Sequence, residues 1–189
     1  MDAKIYALIL SGGKGSRMGN QDKGLVPYKG RPLIEHVLDI IRPQVQEIVI
    51  SANRNLDQYQ QYTSKLVKDT ESENRGPLAG VHSGLQKIDA PYTLLVACDQ
   101  PMLPVDLVEK LYAPFITNPE LQVSCAKVLG SIQPLNAIIK TELSKELDIF
   151  IGRDEYSVKR WYQTLNTYQV DFSTQAEHFA NVNETSQLI

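Results

Sequence analysis

Along the chain, short apolar runs alternate with stretches in which apolar side chains recur every three or four positions. Residues 5–10 (IYALIL), 47–52 (EIVISA) and 92–97 (YTLLVA) are nearly unbroken apolar runs, the pattern of strands buried on both faces. A shorter run at 65–68 predicts a further strand, and 123–128, 135–139 and 168–172 predict three more. Helical spacing appears between them. Arg31 and Pro32 open a helix running to about Arg42, with proline at a favoured first-turn position. Helices are predicted over 57–62, 78–87, 105–115, 142–149 and 158–165, with a helical end at 185–189. In the 78–87 segment Leu78, Val81 and Leu85 share one face.

Strands alternating with helices of this length predict parallel pairing through right-handed crossovers. The expected fold class is α/β: a three-layer α/β/α sandwich on a mostly parallel sheet, similar in its first half to a Rossmann domain. No repeat, linker or low-complexity segment divides residues 1–189, so one domain is expected. In such a sheet ligands gather at the C-terminal ends of the strands. Residues 10–23, 51–54, Asp69 and Asp99 each follow a predicted strand, and all four are expected along one edge.

The first of these loops carries the strongest chemistry. After the first strand, Gly12, Gly13, Gly15 and Gly19 place four glycines in eight residues, and Lys14, Arg17 and Lys23 add positive charge. Glycines let several backbone N–H groups converge on one point, a cradle for phosphate. No window supplies the Walker A spacing, and Gly13, Gly15 and Gly19 overshoot the dinucleotide fingerprint by one residue. The loop is a polyphosphate holder of another type.

Composition narrows the setting. The chain of 189 residues is 42% hydrophobic with a formal net charge of −3, which describes a globular protein and argues against a nucleic-acid partner. No window approaches the ~20 apolar residues of a membrane span, so no membrane association is expected. Cys98 and Cys125 make neither a metal-ligand spacing nor a disulfide framework, and a cytoplasmic location is expected. Cys98 reads as a packed small hydrophobe.

Two acids face the loop in this scheme. Asp99 closes the longest apolar strand, where a carboxylate can hold Mg²⁺ beside substrate phosphates. A turn or cap role is the alternative. Asp69 reads equally as an acceptor for a ribose hydroxyl or guanine N–H and as part of a solvated loop. Gly76, Pro77 and Leu78 begin a helix whose free N–H groups can meet a base or anion. His36 and His82 read as packing or surface histidines rather than acid–base groups. Trp161, Tyr156 and Tyr162 read as helix packing.

The segment LSGGKGSRMGNQDKG resembles the signature of enzymes that transfer a nucleoside monophosphate from a nucleoside triphosphate, whose fold is of the nucleotide-diphospho-sugar transferase type. Glycine at Gly12 and the Asp22–Lys23 pair are similar to molybdenum cofactor guanylyltransferases, where sugar and cytidylyl enzymes more often have alanine. RGPLAG, VACDQP and FANVN follow in that family's order, and the likeness runs from Ile5 to Leu188. It implies transfer of GMP from GTP to the phosphate of molybdopterin. On the resemblance, Leu10, Ser11, Gly12, Gly13, Lys23, Ser51, Asp69, Gly76, Pro77, Leu78 and Asp99 would hold the nucleotide. Arg17, Lys23 and Asp99 would act in catalysis, with Asp99 on Mg²⁺ and Asn181 and Asn183 at the pterin. Ser51 departs from the family's asparagine and has a shorter reach. An adaptor protein or target molybdoenzyme is a further implied partner.

Two rival readings stay open. The nucleotide could be CTP, or the acceptor a sugar phosphate. Alternatively, the chain could bind a nucleotide without turnover.

Overall fold

The computed structural model describes residues 3–11, 22–68 and 76–182. Seven strands make one sheet in the order β5-β4-β1-β6-β8-β7-β9. These are β1 (Ile5–Leu10), β4 (Glu47–Ser51), β5 (Leu66–Val67), β6 (Tyr92–Ala97), β7 (Val123–Val128), β8 (Ser131–Lys140) and β9 (Thr167–Asp171). A separate two-stranded ribbon, β2 (Pro27–Tyr28) with β3 (Arg31–Pro32), turns through Lys29 and Gly30, both at positive φ. Sequence periodicity gives no sign of strands this short.

Side-chain alternation on β1 divides the core. Ile5, Ala7 and Ile9 pack with Ile34, Val37, Leu38 and Ile41 of α1 (Leu33–Ile41) and with Leu107, Leu111 and Phe115 of α4 (Leu107–Thr117). Tyr6 and Leu8 face the other layer: Leu78, Val81 and Leu85 of α3 (Pro77–Leu85), Leu147 and Phe150 of α5 (Ser144–Ile151), and Trp161 of α6 (Val158–Gln163). A one-turn helix, α2 (Leu56–Tyr59), completes the set. Both faces of the sheet are therefore covered, as the unbroken apolar runs require. A Cβ on Gly84 would overlap the Leu8 side chain, so glycine there lets α3 lie close against β1.

The parallel expectation holds on one side and fails at one strand. β5, β4, β1 and β6 pair in parallel, and β9 is parallel to β7. β8 runs antiparallel to both β6 and β7. The physical reason is the turn at Leu129 (φ 47°) and Gly130 (φ 82°), a two-residue hairpin whose twist sends the chain straight back and leaves no length for a crossover. β8 also begins four residues earlier than its apolar pattern indicates. The helical end expected at 185–189 lies outside the described residues. No described helix is long and apolar enough to cross a membrane.

Candidate active site at the reversal of strand order

Counted in chain order, the four parallel strands lie 3-2-1-4 across the sheet, so the order reverses between β1 and β6. A crevice opens outside the strand ends at such a reversal. The residues just beyond those two strands, Ser11 and Cys98–Asp99, are thus brought side by side: Cys98 N–H donates to Leu10 C=O at 3.2 Å, and Ser11 N–H to Ser51 C=O at 2.8 Å.

Asp99 is 7% exposed. Its Oδ2 pairs with Lys23 Nζ, which a short 3-10 turn, Lys23–Leu25, carries back from the first loop. Asp99 Oδ1 is buried and has no hydrogen-bond partner among the described residues. A buried carboxylate oxygen left this way calls for a donor or a cation. Among the described residues no three His, Cys, Asp or Glu side chains cluster as a protein-built metal cage. One carboxylate, with water and substrate phosphates completing the shell, is the donor set that suits Mg²⁺.

The turn bearing Lys23 is held from behind by Asp22, also 7% exposed. Tyr59 Oη donates to Asp22 Oδ1 at 2.5 Å, Asn55 Nδ2 donates to Oδ2 at 3.1 Å, and Arg54 Nε lies 3.9 Å from Oδ2. Burial above all, then the neighbouring Cys98 and Asp22, raises the Tyr59 phenol far above its ordinary pKa, so it remains a donor at neutral pH. A Cβ on Gly24 would come within 2.5 Å of the Tyr59 hydroxyl, so only glycine fits between this buttress and the turn.

The far wall comes from the C-terminal segment. Val182 N–H donates to Asp99 C=O at 2.9 Å, and the Val182 side chain packs with Val26, Tyr28 and Leu33 at the β2–β3 ribbon. Asn181 is exposed beside it. Gln100, 3% exposed, donates through Nε2 to Phe179 C=O at 3.2 Å and accepts at Oε1 from Asn136 Nδ2 at 2.9 Å.

The structure thus places Leu10, Ser11, Lys23 and Asp99 together beyond the ends of β1 and β6, with Asn181 next to Val182, which bonds Asp99 C=O. Ser51 closes β4 with 1% exposure and holds Ser11 through its carbonyl. Gly76 (φ 56°), Pro77 and buried Leu78 start α3 in the layer against the other face of the sheet. Gly12, Gly13, Arg17, Asp69 and Asn183 lie outside the described residues. Burial pushes the Cys98 thiol up to about 12, in keeping with a packed rather than nucleophilic cysteine. His36 bonds Tyr28 C=O at 2.8 Å, and His82 pairs with Asp148 on α5; both serve packing. Trp161 is fully buried, as its packing role predicts, and the Tyr162 hydroxyl donates to Pro134 C=O. Sequence reasoning missed Tyr59, Asn55 and the Gln100–Asn136 pair. A polar Asn136 inside the otherwise apolar LNAII was the one available signal.

A glycine-rich sequence after the first strand, a lysine–aspartate pair at the reversal and helices on both faces fit a nucleotidyltransferase, and comparisons with known proteins show that class. Residues 7–169 match the model of the MobA-like NTP transferase domain. Molybdenum cofactor guanylyltransferases of Shewanella halifaxensis and Shewanella pealeana are 37% and 38% identical to this chain; each alignment covers 99% of it and 93% of the relative. The chain belongs to the MobA-like nucleotidyltransferases, in the molybdenum cofactor guanylyltransferase family. Among solved structures, molybdopterin-guanine dinucleotide biosynthesis protein A from Archaeoglobus fulgidus superposes with a TM-score of 0.74 at 23% identity, covering 97% of this chain and 94% of that one. A CMP:2-keto-3-deoxy-manno-octonic acid synthetase complexed with CTP superposes at 0.70 with 14% identity, covering 97% and 95%. At these identities the two structures establish the fold.

Proposed function

We propose that this chain transfers GMP from GTP to the phosphate of molybdopterin, forming the guanine dinucleotide cofactor and releasing pyrophosphate. The observation that carries the reading is the part-buried Lys23–Asp99 pair with its spare, buried carboxylate oxygen, set at the strand-order reversal of a chain alike over almost its whole length to guanylyltransferases. An oxygen of the acceptor phosphate bonds to the α-phosphorus of GTP as the bond from that phosphorus to the pyrophosphate oxygen breaks. The acceptor phosphate needs no general base, because its second pKa is about 6 and it is ionised at neutral pH.

The protein's task is therefore alignment and charge neutralisation. Leu10, Ser11, Gly12 and Gly13 would cradle the phosphates, while Arg17 and Lys23 would stabilise charge growing on the leaving pyrophosphate. Asp69, Ser51 and the Gly76–Pro77–Leu78 start of α3 would hold the nucleoside. Asn181 and Asn183 would face the pterin. Asp99 would hold Mg²⁺, which supplies Lewis-acid polarisation of the phosphates when bound. Two buried, unpaired cysteines suit a reducing cytoplasm. The continuous sheet with a core on each face supports one domain over 1–189.

The test is Mg²⁺-dependent pyrophosphate release with each of the four nucleoside triphosphates, with and without molybdenum-loaded molybdopterin. Release with GTP and the pterin together is expected. Release with CTP or a sugar phosphate instead would move the substrate, and tight nucleotide binding without release would overturn the enzymatic reading.

A further inference from the structure

The acceptor wall of the site is held by a side-chain relay that begins on a distant strand. β7 and β8 pair regularly from Val123 with Ile139 to Cys125 with Ala137, and pairing resumes only at Ala126 with Gln133. Pro134, Leu135 and Asn136 are therefore a bulge with no partner on β7. A proline is tolerated at such a point, and bulges re-aim side chains beside functional sites. Because β8 runs against β6, with Asn136 opposite Val96, the bulge falls at the same end of the sheet as Asp99.

Asn136, 1% exposed, sends its Nδ2 to Gln100 Oε1, and Gln100 sends its own Nε2 to Phe179 C=O. An amide has one donor end and one acceptor end, so the first bond fixes which end of Gln100 faces the next. Asn136 thereby points the Gln100 donor at the segment that also binds Asp99 C=O through Val182 N–H.

We propose that Asn136 is a positioning residue for the acceptor: by orienting Gln100 it docks residues 179–182, and with them Asn181, at a fixed distance from Asp99. The proposal rests on the reading of Asn181 as an acceptor contact. Asparagine to aspartate at this position reverses the relay. A carboxylate there accepts only, so Gln100 turns its Nε2 towards it and sets Oε1 against Phe179 C=O, two acceptors facing each other.

The experiment compares Asn136→Asp and the milder Asn136→Ser with the unaltered protein. It measures the KM for molybdenum-loaded molybdopterin, the Kd for GTP and the hydrogen-exchange protection of the Val182 amide. In Asn136→Asp the acceptor KM rises and Val182 protection falls, each roughly tenfold, as for one lost buried hydrogen bond, while the GTP Kd stays within about twofold. Asn136→Ser, whose hydroxyl can still donate, gives the same split at a smaller size and serves if the aspartate variant does not fold. KM and Kd rising together, or Val182 remaining protected, would overturn the proposal. Absence of transfer to molybdopterin in the unaltered protein would instead sink the function proposed above, and Val182 exchange would still decide the relay.

Discussion

Two aspartates flank Lys23, equally buried at 7% exposure, and the protein uses them in opposite ways. The Asp22 carboxylate takes hydrogen bonds from Tyr59 and Asn55 and lies near Arg54, so its accepting capacity is committed to the scaffold. Asp99 gives one oxygen to Lys23 and keeps the other without a partner among the described residues. Burial alone does not mark a functional acid. What separates the two is saturation: the satisfied carboxylate braces the turn that bears the lysine, and the unsatisfied one keeps the oxygen proposed above to hold the metal.

That contrast can be broken by exchanging the consequences. Asp99→Ala should lower the rate of pyrophosphate release by roughly 10²- to 10³-fold, the scale of one lost electrostatic stabiliser. Its melting temperature should move by no more than about 4 °C, equivalent to about 1 kcal/mol in a chain of this size. If Asp99→Ala melts much lower with turnover retained, the two acids have been assigned the wrong way round. Asp22→Ala should show the reverse emphasis. It strands the Tyr59 hydroxyl and the Asn55 amide, and should lose about 2–4 kcal/mol in denaturant unfolding.

Smaller changes sharpen the same line. Tyr59→Phe removes one donor from Asp22 and should cost about 1–2 kcal/mol by the same measurement, with Asp99-dependent turnover largely kept. Leu129→Asn serves as a control that alters neither acid. Leu129 sits exposed at φ 47° in the β7–β8 turn, where asparagine is better tolerated, so a gain of about 1 kcal/mol with unchanged turnover is expected.

How much of this was readable beforehand depends on the range of the interaction. β1, β4 and β6 follow from their apolar runs, and Asp99 stands out because it is the acid that comes just after the last of them. The direction of β8 was hidden, since a strand's side-chain pattern is the same whichever way it runs. The turn that sets it uses Leu129 where Asn-Gly would have signalled a hairpin. The role of Asp22 depends on Asn55 and Tyr59, 33 and 37 residues away, and that of Gln100 on Asn136, 36 residues away. Partners at those separations meet only once the sheet has formed, so no local pattern announces them.

The bond from Gln100 to Phe179 spans 79 residues. During synthesis, β1, β4 and β6 leave the ribosome well before that segment, so the strands whose ends carry Leu10, Ser51 and Asp99 are complete first. On the proposed reading the acceptor wall is completed last, because its closing bonds reach from residues 179–182 back to Asp99 and Gln100. On that reading, a growing chain completes the strands behind its proposed phosphate loop before the wall that would receive the acceptor.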